Sequence, residues 1–307
     1  MSDVTLPPIA VGILSHNRVT EVLTTIDIIR SSDYPPDQTH IVVLDNDSAD
    51  GTAEAVLAQY AGDVEVLRLP ENLGAIARNR AMLDRDEPYI FVFDEDCAPE
   101  RPDTLRRAVR FMEQHRHIGA FSLYSINAVT GREECQEWDS VSRRRLPGGG
   151  LEGVYVTGNG MLFRRDAVRR TSGYDQRIFW GSEELCLALE LLYHDIPIAC
   201  DPTIRLVHRR APRAMPVSVV LEAEARNNIW ASLLHLPLPI ALLMAVVHSI
   251  HRVISAFRHA RPHGPAAVAR GVRQAIKGLP DIMSARKIIP VSRLARHNRW
   301  FVDVLLR

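Results

Sequence analysis

Short apolar segments alternate with amphipathic segments through the first hundred residues, and this alternation restricts the possible folds strongly. The apolar segments are rich in Val, Ile and Leu and are predicted to be buried strands: Ile9–Leu14, His40–Asp45, Val64–Leu69 and Tyr89–Asp94. The segments between them carry apolar residues at helical spacing. Strands and helices in alternation predict an α/β fold with right-handed crossovers and a mainly parallel sheet flanked by helices. In such a sheet, ligands bind beyond the carboxyl ends of the strands.

The rest of the first 210 residues has a less regular pattern. Helices are predicted around Val22–Ile29, Val56–Tyr60 and Ile76–Met82, after an N-cap at Asp103, and after Ser182. Strands are predicted at Gly119–Tyr124, Val154–Phe163, Ile196–Asp201 and Ile204–His208. The sequence RRRLPGGG at Arg143–Gly150 predicts a mobile loop, because three glycines cost too much backbone entropy inside a regular element.

From about Ala225 the sequence becomes more apolar. Ile229–Val247 is almost continuously apolar, but Pro237 and Pro239 interrupt it. Proline removes a backbone donor and kinks a helix, so a simple membrane-spanning helix is disfavoured. The pattern favours either an interfacial helical hairpin or a buried helix pair that completes the fold.

The C-terminal tail is strongly basic although the whole chain has a formal net charge of zero. Residues 251–307 contain twelve Arg or Lys against Asp281 and Asp303. Such a tail is typical of attraction to an anionic partner, either lipid headgroups or a phosphorylated acceptor, and equally of a solvated basic surface. No nucleic-acid-binding module accompanies it. Peripheral membrane association through this region is therefore an expectation.

The cysteines and the N-terminus bear on the compartment. The four cysteines have no paired spacing, so neither a zinc ribbon nor a redox pair is indicated and a reducing compartment is favoured: Cys97, Cys135, Cys186 and Cys200. Residues 1–9 carry Asp3 and two prolines rather than a basic and then apolar pattern, so no signal peptide is expected. We expect a cytoplasmic protein, at the inner face of the membrane if the tail binds lipid.

Acidic side chains follow two of the predicted strands. Asp45 ends the second strand, and Asp94, Glu95 and Asp96 end the fourth. Three acids at a partly buried strand end repel one another and raise one another's pKa, which a divalent cation would relieve. Oxygen ligands suit magnesium or manganese, which complete their shells with substrate phosphates. A solvated acidic turn is the alternative.

Seven motifs in this order make the chain resemble a family 2 glycosyltransferase of the GT-A fold. They extend over residues 9–210 and are ILSHNR, LDNDSADGT, PENLGAIARNRAM, FDEDCAPE with its Asp-x-Asp, TGNGMLFRR, GYDQRIFWGSEELCLALEL and LVHRR. The resemblance implies an inverting enzyme that uses a nucleoside-diphosphate sugar as donor. It also implies a Rossmann-like sheet, here followed by a C-terminal helical extension.

The resemblance assigns a nucleotide site to five residues. Asp45, and with it Asp47, would accept hydrogen bonds from the base or the ribose. Arg78 would reach the nucleotide with its planar set of donors, unless it is a helix-surface charge. Asp94 would contact the ribose or the metal, and Glu95 is assigned to the same site.

The resemblance also implies a metal site for Mg²⁺ or Mn²⁺. Asp96 would bind the metal directly, together with Asp94, and His208 would be a late ligand from the far side of the site. A purely structural role for His208 is the alternative.

The general base is assigned to an acidic pair at a predicted helix start. In the family the second acid of the pair takes the acceptor's proton, and by position that is Glu184, with Glu183 supporting it or binding the acceptor. Glutamate stands where aspartate is commoner, and Cys186 stands where many relatives have another acid, so the choice between the two glutamates stays open. Acids favoured by the helix dipole are the structural alternative.

Three residues are predicted to contact the acceptor, which could be a glycan, a polyprenyl-linked molecule or a natural product. Trp180 can stack on an apolar acceptor face or pack in the core. Gly158 and Asn159 are assigned to the acceptor site, and Gly158 with Gly160 would also allow close backbone approach to the donor or simply form a tight turn.

The expected organisation is a catalytic domain over residues 1–224, with a nucleotide-sugar-binding half (1–118) and an acceptor-binding half (119–224). Residues 225–307 would form a basic, partly apolar helical region. Two other functions compete. One is a catalytically inactive relative acting as a binding or membrane-scaffold protein. The other is a sugar-phosphate nucleotidyltransferase, which would carry a glycine-rich loop after the first strand. A dinucleotide dehydrogenase would carry Gly-x-Gly-x-x-Gly after a strand. The segment ILSHNR after the first strand has no glycine, and no Gly-x-Gly-x-x-Gly follows a strand.

Overall fold

The computed structural model describes residues 6–135, 144–154, 156–210, 215–259 and 264–297. Their strands form one mixed sheet in the order β3-β2-β1-β4-β9-β6-β10-β8-β7, with β5 paired to β10. The strands are β1 (Ile9–Ser15), β2 (Thr39–Asp45), β3 (Val64–Arg68), β4 (Tyr89–Asp94), β5 (Cys97–Pro99), β6 (Ala120–Asn127), β7 (Arg144–Arg145), β8 (Leu151–Gly153), β9 (Gly160–Arg164) and β10 (Ile198–His208).

The first four long strands are parallel, as are β6 and β10, while β9 lies antiparallel between β4 and β6. The helices are α1 (Val19–Arg30), α2 (Thr52–Gln59), α3 (Asn79–Met82), α4 (Thr104–Gln114), α5 (Arg165–Val168), α6 (Glu183–Tyr193), α7 (Val217–His235), α8 (Leu238–His259), α9 (Gly264–Lys277), α10 (Leu279–Ser284) and α11 (Val291–Ala295). The prediction of a mainly parallel sheet flanked by helices, with helices at the C-terminal end, is confirmed.

Four clusters of buried apolar residues hold these elements together, and the smallest of them joins α7, α8 and α9. The first contains residues of β1, β4, α1 and α4, and the second contains residues of β4, β9 and α6. The third cluster joins the outer side of α6 to α7, α8 and the segments that follow, and its buried members include Leu189, Leu233 and Ile289. The C-terminal helices therefore pack on the sheet-containing part through α6.

The structure corrects the predicted strand over Val154–Phe163. Regular pairing stops at Gly153 and resumes at Gly160, and Tyr155 lies outside the described residues. Thr157, between the two strands, pairs its hydroxyl with that of Ser122 at 2.5 Å instead of extending the ladder.

Two more predictions in this half were wrong in detail. The two predicted closing strands are the single strand β10, whose register shifts between Cys200 and Arg205 because Pro202 has no N–H to donate to a ladder. The predicted loop at 143–150 contains β7, which forms a hairpin with β8; Gly148 and Gly149 take positive φ in its turn, and Arg143 lies outside the described residues.

One predicted helix starts differently, and another starts where predicted but without the expected side-chain cap. The segment predicted as a helix over Ile76–Met82 begins as a 3₁₀ helix at Gly74–Arg78 and becomes α-helical only at α3. Helix α4 begins directly after Asp103, but the Asp103 side chain makes no capping hydrogen bond and pairs with Arg101 Nε at 3.1 Å.

The apolar C-terminal segment is divided where the prolines predict, since α7 ends at His235 and α8 begins at Leu238. The second helix continues to His259. Within it, Leu238–Phe257 is long and apolar enough to cross a membrane, but the core helices of soluble proteins share this length and composition. Helix α7 is continuous across residues 224 and 225, so the expected domain boundary falls inside it.

Candidate active site

The carboxyl ends of β2 and β4 lie on either side of β1. Asp45 pairs in register with Ser15, and Asp94 pairs with Leu14. The Asp45 side chain is buried and accepts a hydrogen bond from the Ser48 backbone N–H at 3.2 Å. Asp47, two residues on, is exposed with φ 64°. The predicted acids of the two strands therefore share one sheet edge.

A cleft of about 280 Å³ opens at this edge. Its wall contains polar side chains from several segments and an apolar rim from Phe179, Trp180, Met215 and Val220. The polar side chains are those of His16, Arg18, Asn46, Asn72, Arg78, Asp94 and Glu95. Val220 belongs to α7 and Met215 lies just before it, so the start of α7 forms part of the cleft wall.

Arg78 is a buried cation beside the cleft. Its guanidinium pairs with the Asp94 carboxylate and lies over the Tyr174 ring, 5.4 Å from the centroid. Burial alone would lower its pKa, but the charges of Asp94 and Glu183 hold the pKa above its ordinary value. Its Nε has no hydrogen-bond partner within the described residues. A permanently charged donor with an unused N–H is suited to a ligand oxygen.

Glu95 is the middle one of the three acids at the end of β4. Burial, with the neighbouring charges of Asp94 and Asp96, raises the pKa of Glu95 to about 8. Its carboxylate lies 3.9 Å from the guanidinium of Arg18. The repulsion predicted from the sequence is therefore present.

Asp96 lies next to His208 at the end of β10. Asp96 Oδ2 and His208 Nε2 are 3.5 Å apart, and His208 Nδ1 lies 2.8 Å from Glu134 Oε2. Burial would lower the pKa of His208, but its contacts with Asp96 and Glu134 raise it. Burial would raise the pKa of Glu134, but hydrogen bonds from Asn127, His208 and Arg210 lower it to about 2. A carboxylate on one imidazole nitrogen orients the other toward a metal.

The side chains around Asp96 fit a magnesium or manganese ion held by oxygen and imidazole ligands. Asp96, Cys97 and His208 have ligand atoms within 4.8 Å of one another. Burial raises the pKa of the Cys97 thiol well above its ordinary value, and its Sγ lies 3.5 Å from Asp96 Oδ1 as a donor. A protonated soft ligand does not suit these cations, so Asp96 and His208 are the stronger pair. The carboxylate of Asp94, also predicted as a metal ligand, forms an ion pair with Arg78 instead.

The acidic pair begins helix α6 after Gly181 and Ser182, which both take positive φ. Burial and the adjacent Glu184 raise the pKa of Glu183 to about 8, and its Oε2 has no hydrogen-bond partner within the described part of the chain. Burial also raises the pKa of Glu184, against the opposing effect of Arg78. Both carboxyls therefore interact electrostatically with the cation beside the cleft.

Gly158 lies against Glu184. A Cβ at position 158 would overlap Glu184 Oε1, so a larger residue here would displace this carboxyl. Asn159, the next residue, donates to Ser125 Oγ at 2.8 Å and lies 3.4 Å from His208 Nδ1. The TGNG segment thus contacts the acidic pair and the histidine together.

Helix α7 holds the loop that precedes the acidic pair. The buried Asn227 amide donates to the carbonyls of Trp180 at 2.9 Å and Gly181 at 2.6 Å. A Cβ at Gly181 would contact the Glu224 side chain at 3.2 Å. On the opposite side of the loop, the Phe179 carbonyl accepts from Ala75 N at 2.8 Å, which connects it to the segment before Arg78.

Sequence reasoning missed four contributors to this arrangement. Asn46 Nδ2 donates a hydrogen bond to Asn72 Oδ1 at 2.9 Å across the cleft wall. Both residues lie inside motifs of the family resemblance, which could have drawn attention to them. Glu134 and Asn227 have no such marker, because they meet their partners over separations of 74 and 46 or 47 residues.

Comparison with protein families gives one family match. A model described as Glycosyl transferase family 2 matches residues 10–171, which contain β1 to β9 and the acids after β2 and β4. His208 and the acidic pair lie beyond the matched range.

Two curated relatives are similar over part of their length. The probable glycosyltransferase YdaM of Bacillus subtilis is 24% identical over 207 residues, 62% of this chain and 48% of the relative. The glycosyltransferase AglE of Haloferax volcanii is 29% identical over 101 residues, 32% of this chain and 33% of the relative. The chain therefore matches about half of one relative and a third of the other.

Three solved structures are similar over nearly the whole chain. The mannosyltransferase PcManGT of Pyrobaculum calidifontis, in complex with GDP-Man and Mn²⁺, has a TM-score of 0.55 at 17% identity and covers 97% of this chain and 88% of its own. S. aureus TarS 1–349, in complex with UDP-GlcNAc, has 0.61 at 16%, covering 97% and 88%. GalNAc-T7, with UDP, GalNAc and Mn²⁺, has 0.64 at 14%, covering 94% and 59%. At these identities the likeness shows the fold, which is GT-A.

Proposed function

We propose, because this chain belongs to glycosyl transferase family 2, that it transfers a sugar from a nucleoside-diphosphate sugar to an acceptor hydroxyl. The observation that carries the proposal is that Arg78 interacts electrostatically with Asp94 and with the Glu183–Glu184 pair. The charges of Asp94 and Glu183 raise the pKa of Arg78, and the charge of Arg78 opposes the rise in pKa that burial causes at both glutamates. Nucleotide sugars in the complexes of PcManGT and TarS support the donor class.

The donor is proposed to bind in the cleft at the sheet edge. Asp45 and Asp47 would receive hydrogen bonds from the base or ribose, and Asp94 and Glu95 complete that site. Arg78 is suited to the diphosphate because its charge is permanent and its Nε is unused.

Asp96 and His208 are proposed to hold Mg²⁺ or Mn²⁺, with Asp94 as a third ligand if it exchanges its partner Arg78. The Mn²⁺ in two of the similar structures supports manganese. A bound divalent cation would neutralise the charge that develops on the departing diphosphate. Glu134 keeps the imidazole of His208 oriented through Nδ1.

Glu184 is proposed as the general base. The acceptor oxygen forms a bond to the anomeric carbon while the bond to the diphosphate oxygen breaks, and Glu184 takes the acceptor's proton. A single displacement of this kind inverts the anomeric centre. A pKa raised by burial supports the role, because a base is most effective when its pKa lies near the working pH.

The acceptor is proposed to approach past Trp180, with Gly158 and Asn159 shaping the far wall. Glycans, polyprenyl-linked molecules and natural products fit this proposal equally. We propose a cytoplasmic enzyme attached to the inner face of the membrane through its C-terminal region. The basic charge and exposed apolar surface of that region support the attachment.

A panel of nucleoside-diphosphate sugars tests the proposal. Each sugar is mixed with the full chain with Mn²⁺, with Mg²⁺ or with EDTA, and release of nucleoside diphosphate and thermal stabilisation are measured. At least one sugar should stabilise the protein and be hydrolysed slowly only with metal. Stabilisation without turnover under any condition would favour an inactive binding protein, and release of pyrophosphate from a nucleoside triphosphate with a sugar phosphate would favour a nucleotidyltransferase.

A further inference from the structure

Helix α8 presents an apolar face that no described part of the protein covers. Seven large apolar side chains on it are between 36% and 62% exposed: Leu238, Leu242, Leu243, Val246, Ile250, Val253 and Ile254. At 100° per residue they fill an arc of about 160° over most of the helix. Soluble monomers rarely expose so large a contiguous apolar patch.

The opposite face of α8 belongs to the protein interior. Ala241, Met244, His248 and Ala256 are buried, and Ala256 packs in one cluster with Leu221 of α7 and with residues of α9. Lipid cannot surround such a helix unless it leaves these contacts. The geometry therefore suits a helix that lies in the plane of a membrane surface, with one face in the protein and one in the lipid.

The charge around α8 matches an anionic surface. Residues 225–280 contain no Asp or Glu and seven Arg or Lys. Arg252 and Arg270 pair inward with Glu224 and Glu222, while Arg273 and Lys277 of α9 are exposed. Basic residues near a membrane surface are attracted by anionic headgroups.

A second copy of the chain is a poorer occupant of this face. A two-fold dimer through α8 would bring the same acid-free basic segment of both copies together, and like charges at an interface oppose association. An anionic bilayer offers both the apolar depth and the opposite charge.

We propose that the outward face of α8 docks the protein on an anionic lipid bilayer. The 2.7 Å pair between Arg252 and Glu224 aligns the C-terminal half of α8 with the start of α7, and Glu224 lies against Gly181 in the loop before the acidic pair. The C-terminal half of α8 also packs on α7 through Ala256 and Leu221, and Leu221 follows Val220 of the cleft rim. This specifies the membrane attachment proposed above.

Co-sedimentation of the full chain with vesicles tests this docking without any assay of sugar transfer, so its failure leaves the proposed reaction untouched. Phosphatidylcholine vesicles with and without phosphatidylglycerol are used at low and high salt. The protein should bind the anionic vesicles and release from them partly at high salt. Leu243→Glu with Ile250→Glu should lower the partition coefficient roughly tenfold or more, because two apolar side chains lose their burial.

Val129→Glu is the control, because Val129 is 80% exposed on a turn outside α8. This variant should bind the vesicles as the parent does. Thermal unfolding checks that each variant is folded, and Leu243→Gln with Ile250→Gln repeats the test without added charge. Parent protein that ignores anionic vesicles, or a double variant that binds like the parent, overturns the proposal. A parent dimer that the double variant dissociates in sedimentation velocity assigns the face to a second copy and overturns it too.

Discussion

At the sheet edge, Asp45 and Asp94 end strands on either side of β1, whereas in the helical C-terminal region Asn227 reaches the site only through the backbone carbonyls of the loop before Glu183. The first region supplies side chains that would touch the donor. The second supplies the loop geometry on which the acidic pair depends. The difference separates residues whose loss removes chemistry from residues whose loss misplaces it.

The largest effect is expected at the sheet edge. Asp96→Ala should reduce metal-dependent binding of the nucleoside-diphosphate sugar to the level of the chelated parent, because it removes a proposed ligand next to His208. Isothermal titration with Mn²⁺ and with EDTA measures this. Asp37→Ala, at an exposed acid far from the cleft, is the control. Equal donor affinity of the parent with metal and with chelator would contradict the prediction.

The next effect tests which acid of the pair takes the proton. Glu184→Gln keeps size and most hydrogen bonds, so turnover should fall roughly 10²–10⁴-fold while donor affinity hardly changes. Glu183→Gln should act more on acceptor affinity. Steady-state kinetics with donor titrations separate the two. Near-normal turnover in Glu184→Gln beside an inactive Glu183→Gln would reverse the assignment, and activity in both would refute the mechanism.

Asn227→Ala tests the helical region directly. Its amide fixes two carbonyls just before the pair, so its loss should reduce kcat roughly 10- to 100-fold through misplacement of Glu184, with donor affinity retained. Asn228→Ala, at the adjacent buried position of α7, is the matched control. If both variants lose activity only in proportion to lost thermal stability, Asn227 has no special positioning role.

The smallest effect concerns pH and stability. The pKa of Glu183 is raised to about 8 from 4.5, so the folded protein holds this proton more tightly than the unfolded chain. The free energy of unfolding should therefore fall as pH rises from about 4.5 to about 8. Glu183→Gln should raise the melting temperature by roughly 2 °C or more at pH 8 and leave it unchanged near pH 4.5. Glu71→Gln, at an exposed acid, is the control; an equal shift at both pH values would contradict the assignment.

The fold was largely predictable because its determinants are local. The strands at Ile9–Ser15, Thr39–Asp45 and Tyr89–Asp94 are buried over most of their length and therefore contain continuous apolar runs, which makes them visible in a single sequence. The strand predicted over 154–163 failed for the opposite reason. Thr157 and Gly158 have strand-like neighbours, but their conformation is set by contacts with Ser122 and Glu184.

Part of the candidate site was predictable for the same reason. Acids after an apolar strand, as at Asp45 and Asp94, mark a strand end without knowledge of the fold. The roles proposed for Glu184 and His208 came from the resemblance, and they stay predictions. The partners of these residues could not be predicted, because an asparagine on a helix or a glutamate in a turn is ordinary until its distant neighbour is known.

The sequence by itself determined the alternation of strands and helices, the acids at the sheet edge and the basic, apolar character of the C-terminal region. Tertiary structure alone decided that Glu134 would hold His208, that Asn227 would hold the loop before the acidic pair, and which face of α8 would stay exposed. The physical reason is range. Periodicity and strand-end composition act between neighbours along the chain, whereas these contacts join residues brought together only when the sheet and the C-terminal helices have packed.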